Sequence, residues 1–202
     1  MMRDVWVVVI AYALGCVQTG YYLVLALTGQ DLRCLGTGST GARNSGRVLG
    51  PKGFAITLLV DAGKGALAMA AALWLEVSPG ATAAALVAVT AGHIWPLQLR
   101  FSGGRGVAVA LGALAVFEPL LLGVLVLVTV LVWAISRHFQ GSGLAGFAAL
   151  PFAAWFIHMP AEALAGVAGL SLLVLFAHRS HIMSWLKSAP PAESTPAVKP
   201  GD

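Results

Sequence analysis

The stretch GTGSTGARNSGRVLGPKG, residues 36–53, lies between two long apolar runs and decides how the rest of the chain is interpreted. It holds six glycines together with Arg43, Arg47 and Lys52. Glycine lets backbone N–H groups approach an anion closely, and the basic residues supply the opposite charge. The stretch therefore predicts a loop that binds a phosphate group. The alternative is a glycine-rich re-entrant turn whose arginines contact lipid phosphates.

The composition of the chain is that of a membrane protein. Of 202 residues, 58% are hydrophobic and 10% are charged, whereas soluble domains carry roughly a quarter charged residues. Apolar runs predict helices near 5–27, 53–76, 80–99, 105–117, 119–136, 143–158 and 161–177. The sequence thus predicts an all-α, polytopic integral membrane protein of about seven transmembrane helices with glycine-rich cytoplasmic loops.

The basic residues predict how these helices are oriented. With the N-terminus outside, ten of the twelve Lys and Arg residues fall inside: Arg33, Arg43, Arg47, Lys52, Arg100, Arg105, Arg137, Arg179, Lys187 and Lys199. Arg3 falls outside and Lys64 lies within a helix. This asymmetry follows the positive-inside rule. It also explains the basic pI without a nucleic-acid partner.

The chain is interpreted as one transmembrane domain, residues 1–187, followed by a tail. Residues 188–202 are polar and rich in proline, which predicts a disordered cytoplasmic segment. The sequence has no Walker loop, no nucleophile elbow and no cluster with zinc-ligand spacing. These patterns therefore give no indication of a nucleotide-binding loop or a zinc site, and the absence of a metal and of a cofactor is an implication of the family resemblance described below.

A second basic, glycine-rich segment is GHIWPLQLRFSGGRGVAVALG, residues 92–112. A helix is predicted to end near His93 and a new one to begin near Gly104. The free N–H groups of a helix N-terminus would stabilise an anion beside Arg105, and Ser102 can add a donor. Close helix packing is the alternative role for the glycines, which are Gly103, Gly104 and Gly106.

The third polar segment is AHRSHIMSWLK, residues 177–187, at the end of the last predicted span. His178 and His181 are three residues apart and can share a helical face. They can hydrogen-bond a phosphate, and either can act as a base. Alternatively, they are polar anchors at the membrane interface, with Trp185 as an aromatic belt residue.

Two opposite charges, Asp61 and Lys64, fall inside the second predicted helix at positions i and i+3. A charge at the bilayer centre costs roughly 2.5–3.5 kcal/mol on insertion scales. The two residues are therefore predicted to form a structural ion pair. The alternatives are that they face a polar cavity or take part in catalysis.

Together these segments resemble the bacterial membrane acyl-phosphate:glycerol-3-phosphate acyltransferases, the PlsY family. Residues 36–50 are similar to its first signature, G-S-G-N-x-G-A-T-N-x-x-R-x-x-G, and residues 61–65 to the D-x-x-K-G that follows. Residues 92–109 are similar to G-H-x-F-P-x-x-L-x-F-K-G-G-K-G-V-A-T. Residues 178–182, HRSHI, are similar to H-R-x-N-I.

The chain also departs from these signatures. Serine, asparagine and threonine of the first signature are replaced by Thr37, Ser39 and Arg43. The two lysines of the second are replaced by Ser102 and Arg105, and the asparagine of the third by His181. Residues 15–18, GCVQ, stand where the family has G-S-I-P. The charge lost at Ser102 can be supplied by Arg43 from the facing loop.

The resemblance implies a seven-helix protein of the bacterial inner (plasma) membrane, with the N-terminus outside and the active site facing the cytoplasm. It implies acyl transfer from acyl phosphate to the 1-hydroxyl of glycerol 3-phosphate, which yields lysophosphatidic acid and phosphate for phospholipid synthesis. No acyl-CoA, metal, nucleotide, nucleic acid or obligate protein partner is expected, and the surroundings are membrane lipids.

The resemblance and the residue chemistry together predict the site. The predicted catalytic residues are His178, Arg105 and Arg47. The predicted substrate-binding residues are Thr37, Gly38, Ser39, Gly41, Arg43, Asn44, His93, Ser102, Gly103, Gly104, Gly106, Arg137 and His181.

Two alternatives remain open at this point. One is a divergent paralogue that uses another acceptor or binds phosphorylated lipid without turnover. The other is a transporter of phosphorylated metabolites, which would show broken helices in two related halves. No internal repeat is evident, and the polar residues gather on one side.

Overall fold

The computed structural model describes residues 1–187, and all regular secondary structure in that range is helical. The longer helices are α1 Met2–Cys16, α2 Thr19–Thr28, α3 Ala42–Trp74, α4 Pro79–Ile94, α5 Val107–Phe117, α6 Pro119–Ser136, α7 Phe139–Phe156, α8 Ala161–Ala177 and α9 Arg179–Lys187. Short 3-10 turns lie at Leu32–Cys34 and Leu97–Leu99. The predicted tail, residues 188–202, lies outside the described residues.

Most of the helices coincide with the predicted apolar runs. Fewer than seven of them, however, are both long enough and apolar enough to cross a membrane. Among the described residues, four segments qualify: Met2–Thr28, Ala42–Trp74, Pro79–Leu99 and Pro119–Ser136. A fifth is added if α8 and α9, which are bent by 60°, form one broken span. The count of seven stays a prediction.

The first predicted helix, 5–27, is interrupted in the structure. It divides into α1 and α2, because Val17 and Gln18 leave the helical conformation. The break frees backbone carbonyls that a continuous helix would use internally. These carbonyls accept hydrogen bonds from the buried polar residues described below.

The prediction of a loop throughout residues 36–53 is wrong for most of that stretch. Helix α3 already begins at Ala42, so Arg43, Asn44 and Arg47 lie on a helical segment. Gly50 interrupts this helix with φ of +71° and ψ of −164°, and Pro51 follows. Glycine adopts positive φ without a steric cost, and proline fits the first turn of the segment that resumes. The kink lets the basic segment leave the line of the long span.

Within the core, several helices approach one another through small residues. Gly15 of α1 packs against Val89 and Gly92 of α4, and a methyl group at Gly15 would overlap the Val89 carbonyl. Gly112 of α5 likewise packs on the backbone of α3 at Ala62. Such contacts are typical of membrane helices, because small residues let backbones approach closely.

The outer face of the bundle is apolar. Helix α6 exposes a row of large aliphatic side chains, including Leu127, Val130 and Leu131. Exposed apolar surface of this extent is expected on a face that contacts lipid rather than water.

Candidate functional site

The two glycine-rich segments meet at the break between α1 and α2. The Thr40 backbone N–H donates to the Gly103 carbonyl at 3.4 Å. The Thr40 hydroxyl donates to Gln18 Oε1 at 2.6 Å, and Gln18 Nε2 donates to the His93 carbonyl at 3.1 Å. Gln18 and Thr40 are fully buried. Gln18 therefore links the first loop to the end of α4.

Asn44 is bonded to the backbone of the first loop. Its Oδ1 accepts from the Thr37 N–H at 2.9 Å. Its Nδ2 lies 3.1 Å from the Leu32 carbonyl and 2.9 Å from those of Leu35 and Ser39. Because this amide has only two N–H donors for three acceptors, its donors are used within the loop.

Lys64 lies at the centre of a buried polar cluster beneath the loops. Its Nζ is 2.9 Å from Asp61 Oδ1, the i, i+3 contact that the sequence predicts. It also donates to the Gly15 carbonyl at 3.1 Å and to the Val17 carbonyl. These carbonyls are freed where α1 ends, so one ammonium group binds the broken helix to α3. The Thr19 hydroxyl donates to the same Asp61 oxygen at 3.0 Å.

His93 connects this cluster to the second glycine segment. Its Nδ1 is 3.0 Å from Lys64 Nζ. Because an ammonium can only donate, the ring proton is assigned to Nε2. The imidazole lies against Gly104, where any side chain would overlap the ring. The Gly104 N–H in turn donates to the His93 carbonyl at 3.0 Å. Gly104 is thus required by the close approach of His93.

Three basic side chains, Arg43, Arg47 and Arg105, come together near these buried contacts and form the cationic cluster. Burial lowers the pKa of half-buried Arg105, and the positive charges of Arg43 and Arg47 lower it further. Arg43 and Arg47 are exposed. Among residues 1–187, no carboxylate forms an ion pair with any of these three arginines. The arrangement is a concentration of positive charge without a counter-charge, which favours a bound anion.

His178 lies next to this cluster. Burial lowers the pKa of His178, the hydrogen bond to the Val174 carbonyl raises it, and the charges of Arg105, His181 and Arg43 lower it. Nδ1 is 2.8 Å from that carbonyl and therefore carries the proton of the neutral ring. Its Nε2 is then an acceptor.

A groove begins at the cluster and continues along the kink of α3. It has a volume of about 480 Å³ and is lined by Arg43, Gly46, Arg47, Gly50, Pro51 and Phe54. Its two arginines and its apolar residues provide a charged part and a hydrophobic part. This combination suits a molecule with an anionic head and a hydrocarbon chain.

The remaining predicted residues lie in the two glycine-rich segments, on α9 or at the end of α6. Thr37, Gly38 and His181 are exposed, while Gly41 and Gly103 are half-buried. The Ser39 hydroxyl accepts from the Gly41 N–H at 3.4 Å. Ser102 is exposed and donates to the Arg100 carbonyl. Gly106, with φ of +82°, caps α5, and Arg137 is exposed where α6 ends.

Sequence reasoning missed two glutamines. Gln18 lies in an apolar segment, where a polar residue is costly and therefore informative. Gln140, in the first turn of α7, accepts a hydrogen bond from Arg43 Nη1 at 3.1 Å. Its contact partner is 97 residues away in the chain, so no local pattern indicates it.

The fold and the site together define a polytopic helical membrane protein with an uncompensated cationic centre between two glycine-rich segments. The sequence profile described as glycerol-3-phosphate acyltransferase matches residues 5–188. The chain therefore belongs to the glycerol-3-phosphate acyltransferase family, as its signatures predict.

Individual relatives agree with this assignment. Glycerol-3-phosphate acyltransferase 1 of Desulfitobacterium hafniense is 44% identical over 188 residues, which cover 93% of each chain. Glycerol-3-phosphate acyltransferase of Methylobacillus flagellatus is 37% identical over 92% of this chain and 94% of its own. The crystal structure of PlsY, an integral membrane glycerol 3-phosphate acyltransferase, in its glycerol 3-phosphate form superposes with a TM-score of 0.83. It is 26% identical, and the match covers 92% of both chains.

Proposed function

We propose that this chain transfers a fatty acyl group from acyl phosphate to the 1-hydroxyl of glycerol 3-phosphate. The observation that carries the proposal is the cluster of Arg43, Arg47 and Arg105, in which the positive charges of Arg43 and Arg47 act on Arg105, with the neutral His178 beside it. Both substrates carry a phosphate, and two anions need such a cluster to approach each other. The names of the relatives indicate that glycerol 3-phosphate is the acceptor. The resemblance to the family signatures indicates that acyl phosphate is the donor.

The reaction needs positioning and charge stabilisation more than a protein nucleophile. Acyl phosphate is an activated mixed anhydride. The glycerol hydroxyl oxygen attacks the acyl carbon and forms the ester bond, while the bond from that carbon to the phosphate oxygen breaks. The departing phosphate takes the hydroxyl proton, so the products are lysophosphatidic acid and inorganic phosphate. Arginines that hold both phosphates favour the transition state by orientation and electrostatics.

The geometry supports a division of roles. We assign one phosphate to Arg47 and the backbone N–H groups of Ser39, Ala42 and Arg43, and the other to Arg105. The neutral His178 ring lies beside Arg105, and its Nε2 accepts a hydrogen bond from a substrate hydroxyl or from a protonated phosphate oxygen. Asn44 acts through the first loop, because its amide is bonded to backbone groups, and His93 contacts Lys64 through Nδ1. The acyl chain occupies the groove that continues from Arg47 to Phe54.

We place the cationic cluster at the cytoplasmic face of a bacterial inner membrane. The predicted topology puts ten of the twelve Lys and Arg residues on the same side as this cluster, and basic residues are in excess on the cytoplasmic side of membrane proteins. The chain offers its own probe of this orientation. Cys34 is exposed near the first loop, whereas Cys16 is buried. A membrane-impermeant maleimide should label Cys34 in inside-out vesicles and not in right-side-out vesicles. The reverse pattern would contradict the orientation.

Phosphate release from palmitoyl phosphate by the purified protein in lipid tests the function. We expect release that depends on glycerol 3-phosphate, with lysophosphatidic acid as the lipid product. Arg105→Ala should remove most of this activity, and Lys52→Ala, which changes an exposed lysine of α3, is the control. Binding of palmitoyl phosphate without acceptor-dependent release would favour another acceptor or a binding-only paralogue. Movement of glycerol 3-phosphate across sealed vesicles without acyl transfer would favour a transporter.

A further inference from the structure

Gln140 joins α7 to the cationic cluster. Its side-chain oxygen accepts from Arg43 Nη1 at 3.1 Å, although the two residues lie on different helices. Because a guanidinium can only donate hydrogen bonds, the oxygen of this amide must face Arg43. The amide nitrogen, Nε2, is therefore the free end of the side chain.

That nitrogen is shielded from solvent and has no hydrogen-bond partner among the residues that the structure describes. A buried N–H donor without an acceptor is unfavourable, and such groups in native proteins usually have a specific reason. Here the donor adjoins Arg43, whose positive charge also acts on Arg105 and His178. An anionic oxygen is the acceptor that would satisfy the amide and the arginine together.

We propose that Gln140 and Arg43 form a clamp for a substrate phosphate. Gln140 Oε1 holds the guanidinium in place, and Gln140 Nε2 donates to a phosphate oxygen beside it. The ligand class is a phosphate monoester or an acyl phosphate. The inference rests on the proposed function and adds to it a contact from α7, an element that the three sequence segments do not include.

Two substitutions separate the two ends of the amide. Gln140→Glu keeps an oxygen that accepts from Arg43, but it replaces the N–H donor with a negative charge. Gln140→Leu removes both groups at similar volume. Gln30→Leu makes the same change at an exposed glutamine after α2 and is the matched control. Melting temperatures in detergent establish that each variant is folded.

The measurements are kcat and the KM of each substrate. We expect both Gln140 variants to raise the KM of one phosphate substrate by about tenfold or more, with a smaller change in kcat, as the loss of a charge-assisted hydrogen bond predicts. The substrate whose KM changes identifies the phosphate held by the clamp. KM values within twofold of the wild type for both variants would overturn the proposal. Impairment of Gln140→Leu alone would reduce Gln140 to a positioning residue for Arg43 and would overturn its role as a donor.

A wrong proposed function is distinguished from a wrong clamp by the behaviour of the wild type. In that case the wild type shows no acceptor-dependent phosphate release. Thermal protection by inorganic phosphate and by glycerol 3-phosphate still tests the clamp, because it requires no turnover. We expect protection of the wild type and of Gln30→Leu, and its loss in Gln140→Glu. Equal protection in all three proteins would count against the clamp.

Discussion

Lys64 and Arg105 are both cations of the same bundle, but their surroundings are opposite. Lys64 is 7% exposed, contacts Asp61 at 2.9 Å and also donates to backbone carbonyls. Arg105 is half-buried, and among residues 1–187 it makes neither an ion pair nor a hydrogen bond to another side chain. Its charged neighbours are Arg43 and Arg47, which repel it.

The difference separates two uses of positive charge in a membrane protein. A cation whose donors are occupied stabilises the fold, because its removal leaves other buried groups without partners. A cation surrounded by like charges opposes folding and stabilises a bound anion instead. The comparison therefore predicts that substitutions in the Lys64 cluster affect stability and that substitutions in the arginine cluster affect substrate binding.

The largest expected effect is that of Asp61→Leu. It leaves the Lys64 ammonium buried without its carboxylate, which should cost about 3–5 kcal/mol. Heat challenge followed by size-exclusion chromatography in detergent measures the loss of folded protein. Asp61→Leu combined with Lys64→Met removes both charges and should regain most of the stability. A double variant no more stable than Asp61→Leu would contradict the ion-pair argument.

The next effect concerns binding. Arg105→Ala and Arg47→Ala should each lower kcat/KM by roughly tenfold to a hundredfold, the usual loss for a charge-assisted hydrogen bond to phosphate. Their melting temperatures should equal or exceed that of the wild type, because each change relieves repulsion within the cluster. Lys52→Ala is the control for both measurements. Full activity of both variants would mean that the site does not hold phosphate between these segments.

The sequence predicted the helical class and most helix positions because apolar runs of sufficient length have few alternatives in a membrane. It also brought Asp61 and Lys64 together, since i, i+3 spacing places them on one helical face. The helical start of α3 at Ala42 was not predicted, because its glycines and arginines resemble a loop. In the structure, the Asn44 side chain joins the start of this helix to the preceding turn through the Leu32 and Leu35 carbonyls.

Contacts between distant segments were beyond sequence reasoning. The bond from Arg43 to Gln140 joins residues on α3 and α7, and the bond from Thr40 to Gln18 joins the first loop to the α1–α2 break. Glutamine has no pattern that separates a surface residue from a site residue. A site glutamine is distinguished from a surface glutamine by its burial and by side-chain atoms without a hydrogen-bond partner. Both properties can be determined only from the packed structure.

A smaller effect is expected from His178, which is 5% exposed and lies beside the cluster. Its pKa is below 6.5, chiefly through burial, so the unfolded chain binds this proton more tightly than the folded one. The stability of the folded protein should therefore be complete above about pH 6.5 and decline as the pH falls toward the lowered pKa. His178→Gln should weaken this acid-side decline in melting temperature, whereas His158→Gln, at an exposed histidine, should not. An unchanged pH profile in His178→Gln would contradict the assignment.

The smallest effect is expected at Arg33, which is intermediate between Lys64 and Arg105 because it is paired with a carboxylate but only partly buried. This guanidinium is paired with Asp31 at 2.6 Å, lies over the Tyr21 ring and donates to the Leu99 carbonyl at 3.0 Å. Because both charged side chains are partly exposed, Asp31→Asn should cost no more than about 1 kcal/mol at neutral pH.

The Arg33 hydrogen bond lowers the pKa of Asp31, so its contribution is present above the unfolded pKa of 3.8 and is lost as the pH falls through the lowered folded value. The melting temperatures of wild type and Asp31→Asn should therefore differ slightly at pH 7 and converge in acid. Activity should change little, since Arg33 keeps its backbone and aromatic contacts. A loss of kcat/KM as large as that of Arg105→Ala would show that a paired cation can also serve the substrate, and the separation between the two uses of charge would fail.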